Sequence, residues 1–260
     1  MVQIFLSKHH LTLRVLPFAL LLGATKWYVR EHGLEIMELN TYFSTLVAAD
    51  VFLLGFLLSG AMPDYKEAEK IPGEIASALD SIVEECDVLR AKPSARKDAV
   101  ACLAHTRVVI RFLTRWFDHK ERTRDVVAAL REYAPLFARL EPHTQANFLV
   151  RLKQEVASVR RMVVRMRNIR EATVVAPAYA VSELFTAMVI FSLLFVDMGT
   201  LPEAVMITVG ISYLLVYMIF LIRDLDNPFQ YHDKAHVQDE IAIEPLGAVD
   251  RTIAGLLKQK

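Results

Sequence analysis

The chain has 260 residues, 30 basic and 30 acidic side chains, a formal net charge of zero and a mean hydropathy of +0.31. Balanced charge gives no electrostatic case for a nucleic-acid partner. Apolar residues make up 54% while charged ones still reach 23%, a combination that requires the two classes to be segregated along the chain. The two cysteines, Cys86 and Cys102, are read as reduced thiols, since no secreted-type framework accompanies them.

Two apolar segments come first, near residues 15–29 and 39–62. The N-terminus does not read as a cleaved signal, because no small-residue cleavage site follows the first run. Lys26 interrupts that run near its far end and is expected to snorkel to the interface beside Trp27 and Tyr28. One span plus an interfacial helix is the alternative for this pair. Asp50 lies midway along the second run, where an unpaired carboxylate costs several kcal/mol and marks either a pathway or a buried pair. Ala48, Phe52 and Phe56 follow an i, i+4 line and share a face, with Asp50 about 200° round from Phe52. Lys26 or Arg14 would be its partner in a structural pair; ion coordination is the other reading.

Residues 63–176 are patterned for helix throughout. Ile71, Ile75, Leu79, Ile82 and Val83 form one stripe, and Leu103, Val108, Ile110, Leu113 and Phe117 form another. Pro93 ends the first of these helices, with Ser94 expected to cap the next. Helices are expected again over Arg122–Leu140 and Thr144–Ile169, punctuated by Pro135 and Pro142. No strand alternation occurs. The last helix is basic, with Arg160, Arg161, Arg165, Arg167 and Arg170; it fits a vestibule that concentrates anions or a solvated face drawn to anionic lipid.

A second apolar pair follows within residues 177–223, near 178–197 and 204–222. A membrane helix needs about 20 mostly apolar residues; Ala204–Ile222 has no charge and its partner only Glu183, expected at the interface. Lys66, Lys70, Arg165, Arg167, Arg170 and Arg223 flank the spans on one side and the Asp197–Glu203 loop carries no base, so both termini and the middle region are expected in the cytoplasm. The tail, 224–260, ends in a stretch, Ile241–Lys260, that is amphipathic around Ile253, Leu256 and Leu257, as though to wrap a neighbouring subunit.

The catalytic inventory is thin. No HExxH, GxSxG, CxxC or glycine-rich phosphate loop occurs, and no enzyme is expected. The eight histidines are scattered; His9–His10 and His232–His236 are read as exposed polar residues before metal ligands.

The stretch Val51–Leu58 (VFLLGFLL), with Phe-x-x-Gly-Phe and the charged DYKEAEKIP beyond it, resembles the second membrane helix of the bestrophin family. LDNPFQYHD, residues 225–233, resembles the Asn/Asp-Pro-Phe-Gly stretch after that family's last membrane helix. The layout agrees too, and is similar to that of bacterial bestrophin-like membrane proteins. The resemblance implies an all-α fold with four spans in two pairs and a long helical cytoplasmic region, assembled as a homopentamer. It also implies a passive ion channel, anion (chloride) conducting, in a bacterial inner membrane. Phe52 and Phe56 would form the pore neck with Ala48 one turn further out, where the family tends to carry a larger side chain. Ordinary helix–helix or lipid contact is the plain alternative for the two phenylalanines.

Animal bestrophins follow the Pro-Phe with an acidic run that clasps calcium. Here Gln230, Tyr231, His232, Asp233 and Lys234 stand in its place, with too few carboxylates for six to eight oxygen ligands. No cofactor is expected and calcium control is not implied; Asp224, Asp226 and Asp233 remain for any bound cation. The partners expected are further copies of the chain, the lipid bilayer and permeating inorganic ions. A non-conducting scaffold or sensor, whose cytoplasmic helices bind a partner, is the alternative; a transporter subunit using Asp50 and Glu183 is a third.

Overall fold

The computed structural model describes residues 10–171, 176–226 and 243–258, and these are nearly all helical. In chain order they form α1 (His10–Glu31), β1 (Met37–Glu38), α2 (Thr41–Arg90), α3 (Arg96–Phe117), α4 (Thr123–Arg131) and α5 (Tyr133–Leu140). A 3₁₀ turn at Glu141–His143 leads to α6 (Ala146–Glu171), α7 (Ala176–Phe195), β2 (Val196–Asp197), α8 (Leu201–Asp226) and α9 (Glu244–Lys258). Two compact units emerge, one within Met1–Tyr65 and Thr173–Pro228, the other within Lys66–Ala172 and Glu240–Lys260. α2 is one continuous helix of 50 residues whose two parts belong to different units.

The first unit holds α1, the first part of α2, α7 and α8. Among the described residues, three helices are long and apolar enough to cross a membrane: α2, the stretch Pro177–Phe195 of α7, and α8. α1 has 22 residues but carries Arg14, Lys26, Arg30 and Glu31 and does not meet that apolarity. The core of this unit joins Phe43 and Leu54 of α2, Val189 and Leu193 of α7, Val196, Met198, and Ala204, Leu215 and Ile222 of α8. α1 packs on α8 so tightly at Gly23 that any added Cβ would meet Val209 Cγ2. At its far end Gly33, with φ 62°, turns the chain out of α1, a conformation that glycine adopts without steric cost.

Outside residues 63–176, the region in which no strand alternation is expected, two short strands interrupt the helical pattern. Met37 pairs with Val196 and Glu38 with Asp197 in a two-stranded parallel ladder, extended by Ile36 N–H donating to Phe195 O at 3.0 Å. Four residues cannot show an alternation, so pattern alone has nothing to register.

The second unit is a helical core around the rest of α2. Ile71, Ile75, Leu79, Ile82 and Val83 are all buried there, as their spacing predicts. On α3 the buried residue is Val109, with Val108 half-buried, because the helix is turned slightly from the predicted stripe. α3 starts at Arg96 with Ala95 as N-cap and no side-chain cap bond, so the predicted Ser94 cap is not made. The single helix expected over Arg122–Leu140 is two, with Glu132 as the C-cap of α4 and the N-cap of α5. Tyr133, Phe137 and Phe117 fill this core. α9 lies on α3 of the same chain and buries Leu246, Val249 and Ile253, with Leu256 and Leu257 partly buried against the same core.

Candidate functional site

The line Ala48, Phe52 and Phe56 lies on the outside of α2 in the single chain. Phe52 is 76% and Phe56 68% exposed, and Ala48 is exposed one turn before them. The opposite stripe, Phe43, Asp50 and Leu54, is buried. A residue two positions along a helix is rotated by about 200°, so one face carries the aromatics outward while the other carries the carboxylate into the bundle. The phenylalanines are one turn apart, and Gly55 beside them leaves open space around the position of its absent Cβ.

Asp50 is fully buried, and its Oδ1 accepts a hydrogen bond from Thr186 Oγ1 of α7 at 3.0 Å. The ion pair with Lys26 or Arg14 considered for it is not formed. Lys26 is wholly buried and gives its Nζ to Glu35 at 2.6 Å and to the carbonyls of Leu194 and Val196. The expected snorkelling is thereby overturned: Trp27 and Tyr28 are exposed, and Lys26 turns inward because two backbone carbonyls and a carboxylate there satisfy its ammonium. Arg14 is exposed. Next to this cluster Arg30 bonds Glu35, Asp197 and the Gly199 carbonyl. Glu183 pairs with Arg223 at 2.6 Å and both remain partly exposed.

Asp226 accepts a hydrogen bond from Tyr179 and has Asp64 for an acidic neighbour. Asp224 is exposed at the end of α8. Asp233, and the Asn227-Pro228-Phe229 motif with it, fall outside the described residues. Among the described residues no group of three or more His, Cys, Asp or Glu side chains is placed to hold a metal ion.

The basic helix α6, in the second unit, spends much of its charge locally. Arg165 grips Glu67 in a two-bond fork at 2.7 and 2.6 Å. Arg167 bonds Glu171 at 2.7 Å and holds that carboxyl below the usual range through the hydrogen bond. Arg170 donates to the Trp116 and Phe117 carbonyls and lies over the Trp116 ring at 4.5 Å. Arg160 and Arg161 are exposed and make no ion pair among the described residues. Sequence reading missed Glu35 and Thr186; only the apolar context of Asp50 and Lys26 signalled that each needed some partner.

No family model matches the chain and no curated protein is similar to it in sequence. Its backbone is similar to solved structures of a bacterial bestrophin homolog from Klebsiella pneumoniae. Two single-residue variants of that homolog superpose with TM-scores of 0.77 and 0.78, each at 14% identity over 95% of this chain and 99% of theirs. The chain has the bestrophin fold. A further solved structure, described as a membrane protein, matches over 100% of both chains at 14% identity with a TM-score of 0.74. With three helices of membrane-crossing length and apolarity on the bestrophin fold, the chain is an integral membrane protein.

Proposed function

We propose that this protein is a passive ion channel of the bestrophin type, anion conducting and not an enzyme, built from five copies around a central pore. The observation that carries the proposal is the line Ala48, Phe52 and Phe56, exposed on α2 opposite the buried stripe of Phe43, Asp50 and Leu54. Around a symmetry axis, each exposed side chain becomes a ring. Apolar rings of this kind close a pore by dewetting and open it with small displacements. Aromatic edges carry the positive part of the ring quadrupole and favour anions that slide past them. Ala48, small where the family tends to be larger, leaves the outer level of the neck wide.

Four spans in two pairs, with α1 as the least apolar of them, follow from the bestrophin-like layout, and cytoplasmic termini from the flanking positive charges; the membrane is a bacterial inner membrane. The layout is residues 1–62 with the first pair, 63–176 as the cytoplasmic helical region, 177–223 as the second pair and 224–260 as the tail. Arg160 and Arg161, repeated five times, raise the local anion concentration on the cytoplasmic side. Asp224, Asp226 and Asp233 are the residues available to a regulatory cation, and no resident cofactor is needed for passive flux.

The test is ion flux through purified protein in liposomes, under chloride and then potassium gradients, beside the double variant Phe52→Ala/Phe56→Ala. Chloride flux that rises or loses selectivity in the double variant supports the neck. Verified reconstitution with no flux in either protein moves the assignment to a scaffold or sensor.

A further inference from the structure

Asp50 stands on the buried face of α2, about 13 Å along the helix from Thr41 and about 18 Å before Met62. It is 0% exposed within a single chain, so no second copy is needed to enclose it. Its Oδ1 accepts the hydroxyl of Thr186 on α7, itself buried, while its Oδ2 has no hydrogen-bond partner. Elsewhere on α7 hydroxyls bond back to their own helix, Ser182 to the Ala178 carbonyl at 3.0 Å and Ser192 to that of Met188 at 2.8 Å. Thr186 instead turns its hydroxyl across to α2.

Among the described residues, no cation pairs with this carboxyl. Between Thr41 and Met62 the titratable groups of α2 are Tyr42 and Asp50 itself. On α7 they are Tyr179 and Glu183, and Glu183 is paired with Arg223 at 2.6 Å, both partly exposed. On α8 Tyr213 and Tyr217 stack on each other, and Glu203 accepts the Thr200 N–H at one end. Arg223, Asp224 and Asp226 close the other end. On α1 His10 is the first residue, and Arg14, Tyr28 and Glu31 are exposed. The Lys26 ammonium gives its three protons to Glu35 and two carbonyls, and Arg30 is held by Glu35 and Asp197.

An ionised carboxylate enclosed in this way has one hydroxyl for solvation and no counter-charge, a costly state at membrane depth. A carboxylic acid places its proton on the unpartnered Oδ2 and leaves Oδ1 as the carbonyl that Thr186 bonds. What remains is one unbonded hydroxyl, a far smaller cost than that of a buried charge.

We propose that Asp50 is a proton-binding site, a neutral carboxylic acid that locks α2 to α7 through Thr186, and that loss of its proton loosens this contact. The proton passes to water, and the carboxylate left behind draws water between the two helices. Folding takes up a proton that the unfolded carboxyl has released, so the contribution is fullest at low pH and is lost as pH rises. Phe52 lies two residues along on the opposite face, so a movement of this turn moves the exposed aromatic line. Only the consequence for flux rests on the channel reading above; the proton site stands whether or not the protein conducts.

The experiment is infrared difference spectroscopy of the purified full-length protein in lipid, parent against Asp50→Asn, at pH 7. The expected result is the carbonyl stretch of a protonated carboxyl in the parent and its loss in the variant. Thr186→Val keeps the acid but removes its hydrogen bond, so the stretch should move to higher frequency; this variant carries the test should Asp50→Asn not fold. As pH is raised to 10 the stretch should fade in the parent and the melting temperature fall with it, a component that Asp50→Asn lacks. Absence of the stretch at pH 7, or its indifference to Thr186→Val, overturns the proposal. A stretch that persists until the protein unfolds overturns the release of the proton. Chloride flux in liposomes should change over the same titration in the parent and not in Asp50→Asn; flux indifferent to pH overturns the link to the neck. Verified reconstitution without flux removes the channel reading alone, and the infrared result then decides the proton site by itself.

Discussion

Lys26 and Glu35 are joined by a 2.6 Å ion pair across the turn that follows α1, with the lysine side chain wholly buried and the glutamate 12% exposed. The same ammonium bonds the Leu194 and Val196 carbonyls, so one side chain ties the α1–α2 connection to the end of α7. Removing one partner of a buried pair leaves the other uncompensated. Lys26→Ala should destabilise the protein by about 3 kcal/mol, and adding Glu35→Ala should cost much less than a second independent loss. Denaturant titrations of the single and double variants in detergent check the coupling.

Arg170 ends α6 by donating to the Trp116 and Phe117 carbonyls at the close of α3, with its guanidinium over the indole. Arg170→Ala should cost about 2 kcal/mol, because charge-assisted hydrogen bonds and a cation–π contact are lost together. Arg170→Lys should recover less than half, since an ammonium lacks the planar fork. Trp116 fluorescence against denaturant, with Trp27→Phe as background, reads both.

The α9 helix is held to α3 by Arg107, whose guanidinium meets Asp250 at 2.8 and 3.0 Å. The hydrogen bond and charge of Arg107, with Arg111 adding, hold the Asp250 carboxyl below its ordinary value. A depressed carboxyl contributes stability above its unfolded pKa and loses it as pH falls through the folded one. Docking of α9 should therefore weaken in acid. Asp250→Asn should remove that part of the pH dependence at a cost under about 1 kcal/mol near neutrality, the pair being about one-third exposed. Hydrogen exchange of α9 amides between pH 7 and pH 3 is the measurement.

Two glycines should respond oppositely to alanine. At Gly23 the new methyl meets Val209 across the α1–α8 contact, so Gly23→Ala should cost about 1–3 kcal/mol through overpacking. At Gly73, exposed on α2 with nothing near its would-be Cβ, alanine should gain up to about 1 kcal/mol from helix propensity. Paired melting curves decide it.

The helices were legible because hydropathy and period are sums along the chain. The stripe from Ile71 to Val83 could face only one way, and two spans stood out from a charged surround. The i, i+4 line through Ala48, Phe52 and Phe56 likewise left Asp50 on the opposite face before any packing was known. Smaller features escaped for local reasons: the β1–β2 ladder is too short to alternate, and α4 and α5 divide at Glu132 within a pattern that reads as one helix.

By itself, then, the sequence determined an all-helical chain, its apolar segments and which side chains share a face, since each follows from near neighbours at fixed rotation. Partnership was decided only in three dimensions. Asp50 meets Thr186, 136 residues away, and Lys26 meets carbonyls 168 and 170 residues away. Such pairs depend on how far each helix is turned and slid against the next, which is set by the packing of whole apolar faces. A buried charge announces in sequence that it needs a partner; the docked helices choose which one.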